Sequence, residues 1–104
     1  MKQPPKHLSR EAKGWWSRVT TDFSIEDEAG HLLLQTAMEC FDEMRAAQAL
    51  IAEDGYLIKH GTSKKLNPAA GVAKDSRAHM LQCFKQLNLD IEPKARSGRP
   101  AMGR

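Results

Sequence analysis

The strongest constraint on the fold is one long helical pattern in the first half of the chain. Between residues 25 and 53, apolar residues recur at three- and four-residue spacing, which is typical of a helix with one buried face. A helix of this length spans about 40 Å, more than the diameter of a small domain. Its apolar surface therefore needs a partner, and that partner is either a later helix of the same chain or another subunit.

A first helix is predicted over residues 9–22. Ser9 suits the N-cap position because its hydroxyl oxygen can accept from a free backbone amide. The apolar residues that follow recur at helical spacing and include two adjacent tryptophans, Trp15 and Trp16. Neighbouring residues point about 100° apart on a helix, so we expect one tryptophan in the core and the other at an interface. Ser24, followed by acidic residues, predicts the start of the long helix at residue 25.

A third helix is predicted over residues 68–87. It begins at Asn67-Pro68, where the asparagine can cap the helix and the proline has no amide to leave unpaired. Asn88 suits a left-handed residue after its end. Residues 56–66 hold two short apolar pieces around a Gly-Thr-Ser turn, which predicts a β-hairpin or an extended loop. The predicted fold class is mainly α, with three helices, a long central one, and this hairpin or loop between the second and third.

Length and composition place these elements in one domain. A chain of 104 residues has enough apolar surface for one modest core. We expect a flexible arm over residues 1–8, a single helical domain over 9–90, and a basic, disordered tail over 91–104. The sequence has no apolar run of membrane-spanning length and no apolar leader, so we expect an intracellular protein without a membrane partner. Cys40 and Cys83 are expected to be reduced, buried thiols.

Charge is segregated along the chain. Residues 1–20 carry five basic side chains and one acidic, residues 21–55 carry one basic and nine acidic, and residues 56–104 carry ten basic and three acidic. Basic segments of this kind can meet polyanions, and the acidic segment can meet the basic segment of a second copy. For any single charge, a solvated helix face is the simpler interpretation.

Motifs for catalysis or metal binding are absent from the sequence. It has no glycine-rich phosphate loop, no Cys-x-x-Cys and no His-Glu-x-x-His, so we predict neither an enzyme nor a cofactor nor a metal site. Glu39, Asp42 and Glu43 cluster on the long helix and could form a carboxylate pair for catalysis. A solvated or intersubunit acidic face is the favoured interpretation. His60 could act as a general base, but no nucleophile is tied to it by spacing.

Two basic patches predict contact with nucleic-acid phosphates. One lies on the predicted hairpin, and the other lies on the first helix, where two basic residues three apart share a face. The candidate DNA-binding residues are Lys59, His60, Lys64 and Lys65 on the hairpin and Arg10 and Lys13 on the helix. In the tail, Lys94, Arg96 and Arg99 are candidates for contact with DNA or a protein partner. The candidate residues of a homo-oligomer interface are Trp15, Trp16, Leu34, Met38, Glu39 and Phe41.

The order of several short motifs resembles the small terminase subunits of tailed bacteriophages, in their compact helical type. The lead-in is Pro5-Lys6-His7-Leu8, the tryptophan is Trp15 or Trp16, and the break is Glu53-Asp54-Gly55. Asn67-Pro68 then opens the last helix, and the close is Leu87-Asn88-Leu89 with Pro93 and Arg96. Asn88 stands where glycine is more usual, and three extra residues stretch the close before Pro93.

This resemblance implies a DNA-packaging role. Members of the family form rings, bind double-stranded viral DNA near the packaging start and regulate the large terminase subunit, which holds the ATPase and nuclease. The implied location is the cytoplasm of the bacterial host, for a viral or prophage protein. Two other classes remain open on the residues alone: a helical transcriptional regulator that binds DNA as a dimer, and a self-assembling structural protein without a nucleic-acid role.

Overall fold

The computed structural model describes residues 2–89 and contains three helices and one two-stranded sheet. The helices are α1 (Arg10–Asp22), α2 (Glu28–Asp54) and α3 (Pro68–Gln86), and the strands are β1 (Leu57–His60) and β2 (Ser63–Leu66). The predicted mainly α fold with a long central helix is confirmed, and the connection between α2 and α3 is a β-hairpin. The basic tail predicted over residues 91–104 lies outside the described residues.

Helix α2 is the central element, and both α1 and α3 pack against it. Its buried face meets Trp16 and Ala12 from α1, and Ala69 and Ala73 from α3. Alanines at these positions keep the α3 backbone close to α2. The apolar surface of α2 is therefore covered largely by two helices of the same chain. The buried residues of α2 are Gly30, His31, Leu34, Ala37, Met38, Phe41, Met44 and Ala47.

Local capping explains most helix boundaries. Ser9 caps α1 as predicted, and its hydroxyl oxygen accepts from the amide of Ala12. Asn67 caps α3 in the same way through the amide of Ala69. Asn88 adopts the left-handed conformation with φ 60°, and the amide of Leu89 donates to the carbonyl of Phe84, as in a Schellman motif.

The predicted start of α2 is wrong by three residues. Ser24 does not cap α2; it has φ 53° and ends α1, because the amide of Ile25 donates back to the carbonyl of Thr20. The N-cap of α2 is Asp27, whose carboxylate accepts from the amide of Gly30 at 3.1 Å. A serine can either end one helix or cap the next, and the direction of the chain after α1 decides which role Ser24 takes.

The N-terminal segment corrects a second expectation. Residues 6 and 7 form a turn, and Leu8 is buried in the core with 4% of its surface exposed. The ring of His7 lies 2.7 Å from the Glu39 carboxylate on α2. This part of the predicted flexible arm is thus packed on α2, because burying Leu8 and pairing His7 offset the entropy lost on ordering it.

Candidate nucleic-acid interface

The hairpin projects from the end of the molecule where α2 finishes and α3 begins. Its strands pair antiparallel, with Leu57 opposite Leu66, Ile58 opposite Lys65, Lys59 opposite Lys64 and His60 opposite Ser63. Gly61 has φ +66° and is followed by Thr62, which lacks a positive φ, the combination that defines a type II′ turn. Glycine fits the first position of this turn because it adopts positive φ without steric cost.

The hairpin enters from α2 through Gly55, with φ +93° and ψ 158°. The extended ψ sends the chain straight into β1. The side chain of Asn67 donates to the Gly55 carbonyl at 2.9 Å, and its backbone amide donates to the Tyr56 carbonyl at 2.7 Å. These two bonds close the base of the hairpin and tie it to the start of α3.

The positive charge on the hairpin has no acidic partner among the described residues. Lys59 and Lys64 are cross-strand partners on one face, and like charges placed directly opposite each other destabilise a sheet. Lys65 and His60 lie on the other face, and all four side chains are exposed. Within residues 2–89, no carboxylate lies within ion-pair distance of any of the three lysines. The hairpin therefore presents mobile cations that an external polyanion could neutralise.

The basic residues of α1 form a separate patch. Arg10 is exposed and Lys13 is half-buried in the first turns of α1. The adjacent Glu11 pairs with Arg45 of α2 at 3.2 Å. Arg45 lies nine residues, or about 14 Å along the helix axis, before the end of α2 at Asp54. The α1 patch and the hairpin patch are therefore separate in the structure.

One basic feature close to the hairpin was not singled out from the sequence. Lys74 and Arg77 lie three apart on α3, share one helix face and are exposed. Lys74 follows the first residue of α3 by six positions, about 9 Å along the axis, so this pair extends the basic surface from the hairpin base. The i, i+3 spacing of two cations next to a predicted hairpin is the signal that could have found it. The tail candidates Lys94, Arg96 and Arg99 lie outside the described residues.

The acidic side chains clustered on α2 bind groups of the same protomer. Asp42 accepts from Ser9 at 2.8 Å, and Glu43 accepts a hydrogen bond from the hydroxyl of Ser76 on α3. Glu39 accepts from Gln35 at 3.1 Å and contacts His7. These carboxylates hold the N-terminal segment and α3 onto α2.

The surroundings shift the pKa of one carboxylate and of two thiols. Hydrogen bonds from Gln35 and His7 lower the pKa of Glu39, because both favour the ionised carboxylate. Burial raises the pKa of the Cys40 and Cys83 thiols, and both cysteines are free. A raised pKa leaves little thiolate near neutral pH, which suits packing rather than reactivity.

Neither metal-ligand clusters nor membrane-spanning helices occur in the part of the chain that the structure describes. Among residues 2–89, no three His, Cys, Asp or Glu side chains are grouped to hold a metal ion. No helix in the same range is long and apolar enough to cross a bilayer.

Comparison with known protein families decides the assignment. The family model described as phage terminase, small subunit, matches residues 12–103, which include α2, the hairpin, α3 and all but the first two residues of α1. The chain belongs to the phage terminase small-subunit family. No curated protein and no solved structure matches it significantly. The family match confirms the resemblance noted in the sequence and supports a role as the small subunit of a phage terminase.

In this terminase small subunit, most of the residues expected at an oligomer interface lie inside the protomer. Trp16, Leu34 and Met38 are between 0% and 2% exposed, and Phe41 is 7% exposed. Their side chains form the core between α1, α2 and α3, and of these four only Met38 and Phe41 also line an open groove. Trp15 is 42% exposed and Glu39 is also exposed, so these two are the fully accessible candidates among the six.

Proposed function

We propose that this protein is the DNA-binding adaptor of a phage or prophage packaging motor. It binds double-stranded viral DNA at the packaging start as a ring-like homo-oligomer, in the cytoplasm of the host. It regulates the large subunit, which carries the ATPase and nuclease, and has no catalytic activity of its own. Family membership supports the role, and the hairpin, with Lys59 opposite Lys64 and no acidic partner in the described chain, is the observation that carries DNA binding.

The chemistry of the hairpin suits the DNA backbone. Duplex DNA carries one phosphate charge per about 1.7 Å of axis, and cations that neutralise phosphates release condensed counterions. Lys59 and Lys64 are positioned by the sheet register, while their flexible stems let each ammonium find a phosphate. His60 and Lys65 add donors on the other face. Contacts of this type fix position on the duplex and carry no sequence information directly.

Assembly increases the strength of these contacts. A protomer with a net charge of +3 binds few phosphates, but linked copies engage the same duplex at high effective concentration. Arg10 and Lys13 on α1, with Lys74 and Arg77 on α3, supply further cations around the hairpin end. The tail residues Lys94, Arg96 and Arg99 contact DNA or the large subunit.

The salt dependence of DNA binding tests this function. The variant Lys59→Ala/Lys64→Ala is compared with Lys2→Ala/Lys85→Ala, which removes the same charge from the end of the molecule opposite the hairpin. Each phosphate contact contributes about 0.9 to the slope of log affinity against log salt, so the hairpin variant should lose about two units for each bound protomer. Fluorescence anisotropy with a labelled duplex measures both affinity and slope.

The control variant should keep a slope close to that of the wild type. Equal slopes for the wild-type protein and the hairpin variant would remove the hairpin from the interface. A loss confined to Lys74→Ala/Arg77→Ala would move the contact to α3. Absence of binding to any duplex at low salt would contradict the function as a whole.

A further inference from the structure

An apolar groove runs between α1 and α3, at the end of the molecule away from the hairpin. Its volume is about 360 Å³, and its floor is formed by Met38 and Phe41 of α2. Trp15 and Phe23 form the α1 wall and remain 42% and 40% exposed, while Phe84 lies on the α3 wall. Aromatic side chains exposed along a groove mark a binding surface more often than they mark ordinary protein surface.

A second apolar surface lies at the base of the hairpin. Leu57 and Leu66 are directly paired and 54% and 47% exposed, and the neighbouring Tyr56 is 62% exposed. No helix of the described chain packs extensively on the hairpin. A two-stranded hairpin is only marginally stable alone, so covering this base would stabilise it. Phe41 in the groove and Asp54 before the hairpin are thirteen residues apart on α2, about 20 Å.

The two surfaces differ in charge. The groove rim carries Asp22, which has no cation within ion-pair distance among residues 2–89, and the following connection adds the exposed Glu26. Arg18 also lies on the rim, but its guanidinium is stacked over the Trp15 ring at 5.0 Å. The hairpin carries lysines and no acidic residue. Hairpin-to-hairpin pairing would juxtapose lysines, whereas groove-to-hairpin pairing gives the carboxylate of Asp22 a cationic partner.

We propose that the groove of one copy receives the hairpin base of the next copy, head to tail. Leu57 and Leu66 fill the space between Trp15 and Phe84, and Asp22 on the rim orients the approach of the basic hairpin. The lysine pair lies two residues beyond the leucines, about 7 Å toward the tip, and stays beside the rim where DNA can reach it. A contact between two different surfaces repeats from copy to copy until rotation closes a ring. The inference rests on the proposed function only for the expectation of a ring-like assembly.

Two complementary variants test the contact by light scattering without DNA. The groove variant is Trp15→Gln/Phe23→Gln. The hairpin variant is Leu57→Thr/Leu66→Thr, in which threonine keeps the strand propensity. The matched control is Leu32→Gln/Leu81→Gln, which removes two leucines that are 64% and 47% exposed outside both surfaces. Circular dichroism verifies that each variant keeps its helices.

The decisive sample is the mixture of the two variants. Each variant alone should have the 11.6 kDa mass of a protomer, while the wild-type and control proteins form larger assemblies. The mixture should form pairs of twice that mass and nothing larger, because one intact groove meets one intact hairpin and both remaining surfaces are broken. Any of three results would overturn the proposal: the mixture stays at protomer mass, the single variants keep the wild-type mass, or the wild-type protein is monomeric.

Charge reversal gives a second test in case the groove variant does not fold. Asp22→Lys should raise the concentration at which assemblies form at least several-fold, whereas Asp75→Lys, which changes an exposed acid on α3 outside both surfaces, should not. Equal effects of both would contradict the contact. Unchanged mass with weakened binding of DNA or the large subunit would assign the groove to that partner instead. The DNA salt slopes of the wild type and of Lys59→Ala/Lys64→Ala are compared at a concentration where light scattering gives both the same mass, so the interface and the DNA function can fail independently.

Discussion

Asp42 of α2 completes the N-terminal cap of α1 by accepting hydrogen bonds from both the backbone amide and the hydroxyl of Ser9. The same Ser9 hydroxyl oxygen accepts from the amide of Ala12 at 3.0 Å, which is the local capping bond. The Ser9 hydroxyl thus donates to α2 and accepts from α1. The residue that caps α1, Ser9, is therefore also part of the tertiary contact that positions the start of α1 on α2.

Removal of this carboxylate should destabilise the fold. Asp42→Ala leaves the Ser9 amide without its charged acceptor and frees the hydroxyl, so we expect a loss of about 1–3 kcal/mol in the free energy of unfolding. Urea denaturation measures this loss. Glu53→Ala, which removes an exposed carboxylate near the end of α2, is the control and should change stability by less than about 0.5 kcal/mol. Equal effects would show that the cap contact contributes nothing beyond surface charge.

The two tryptophans should differ sharply when truncated. Trp16 is 1% exposed and stacks on the ring of His31 with centroids 5.7 Å apart, so Trp16→Ala should cost about 3–5 kcal/mol of unfolding free energy. Trp15 is 42% exposed, and Trp15→Ala should cost less than about 1 kcal/mol in the isolated protomer. Denaturation at a concentration where both variants are monomeric gives the comparison. Similar costs would mean that Trp15 is buried in solution.

The hydrogen bond between Ser76 and Glu43 should appear as an energetic coupling between α3 and α2. Ser76 is 1% exposed, so Glu43→Ala leaves a buried hydroxyl without its acceptor and should cost about 1–3 kcal/mol. Ser76→Ala in the same background should recover part of that loss. A double-mutant cycle by chemical denaturation should give a coupling of at least about 0.5 kcal/mol. Additive effects would show that the two side chains do not interact in solution.

Acid should weaken the packing of the N-terminal segment on α2. The pKa of Glu39 lies below its ordinary value of 4.5 in the folded protein, because Gln35 and His7 donate to the carboxylate. A lowered folded pKa contributes stability above pH 4.5 that is lost as pH falls through the folded value. Glu39→Gln should therefore show a smaller loss of unfolding free energy on acidification than the wild type.

Unfolding measured from pH 6 to pH 3 tests this expectation for Glu39. The control Glu53→Gln should follow the wild-type profile, since Glu53 makes no comparable contact within residues 2–89. A Glu39→Gln profile parallel to that of the wild type would contradict the role of the His7 and Gln35 contacts. The side chain of Glu39 is 45% exposed, so solvent screens the interaction and the difference should be small.

Short-range chemistry made much of this fold predictable. Ser9, Asn67 and Asn88 each end or begin a helix through bonds to residues at most five positions away, and such bonds depend on sequence alone. The turn at Gly61 was predictable for the same reason, while the structure decided between a hairpin and an extended loop. Ser24 was misassigned because a serine between two helices can end one or cap the next, and the path of the chain decides.

The sequence by itself determined the helices, a hairpin or extended loop after the second helix, and the placement of basic groups there, because these follow from capping, periodicity and turn geometry over a few residues. The motif order also determined the family, which the match over residues 12–103 confirms. Only the tertiary structure decided which tryptophan is buried and which of the expected interface residues are core. Burial depends on how α1 and α3 pack against α2. Helical periodicity identifies the apolar face of a helix but does not show what covers that face. For the same reason, only the structure showed that the α2 carboxylates hold the protomer together and that an apolar groove remains open beside Trp15.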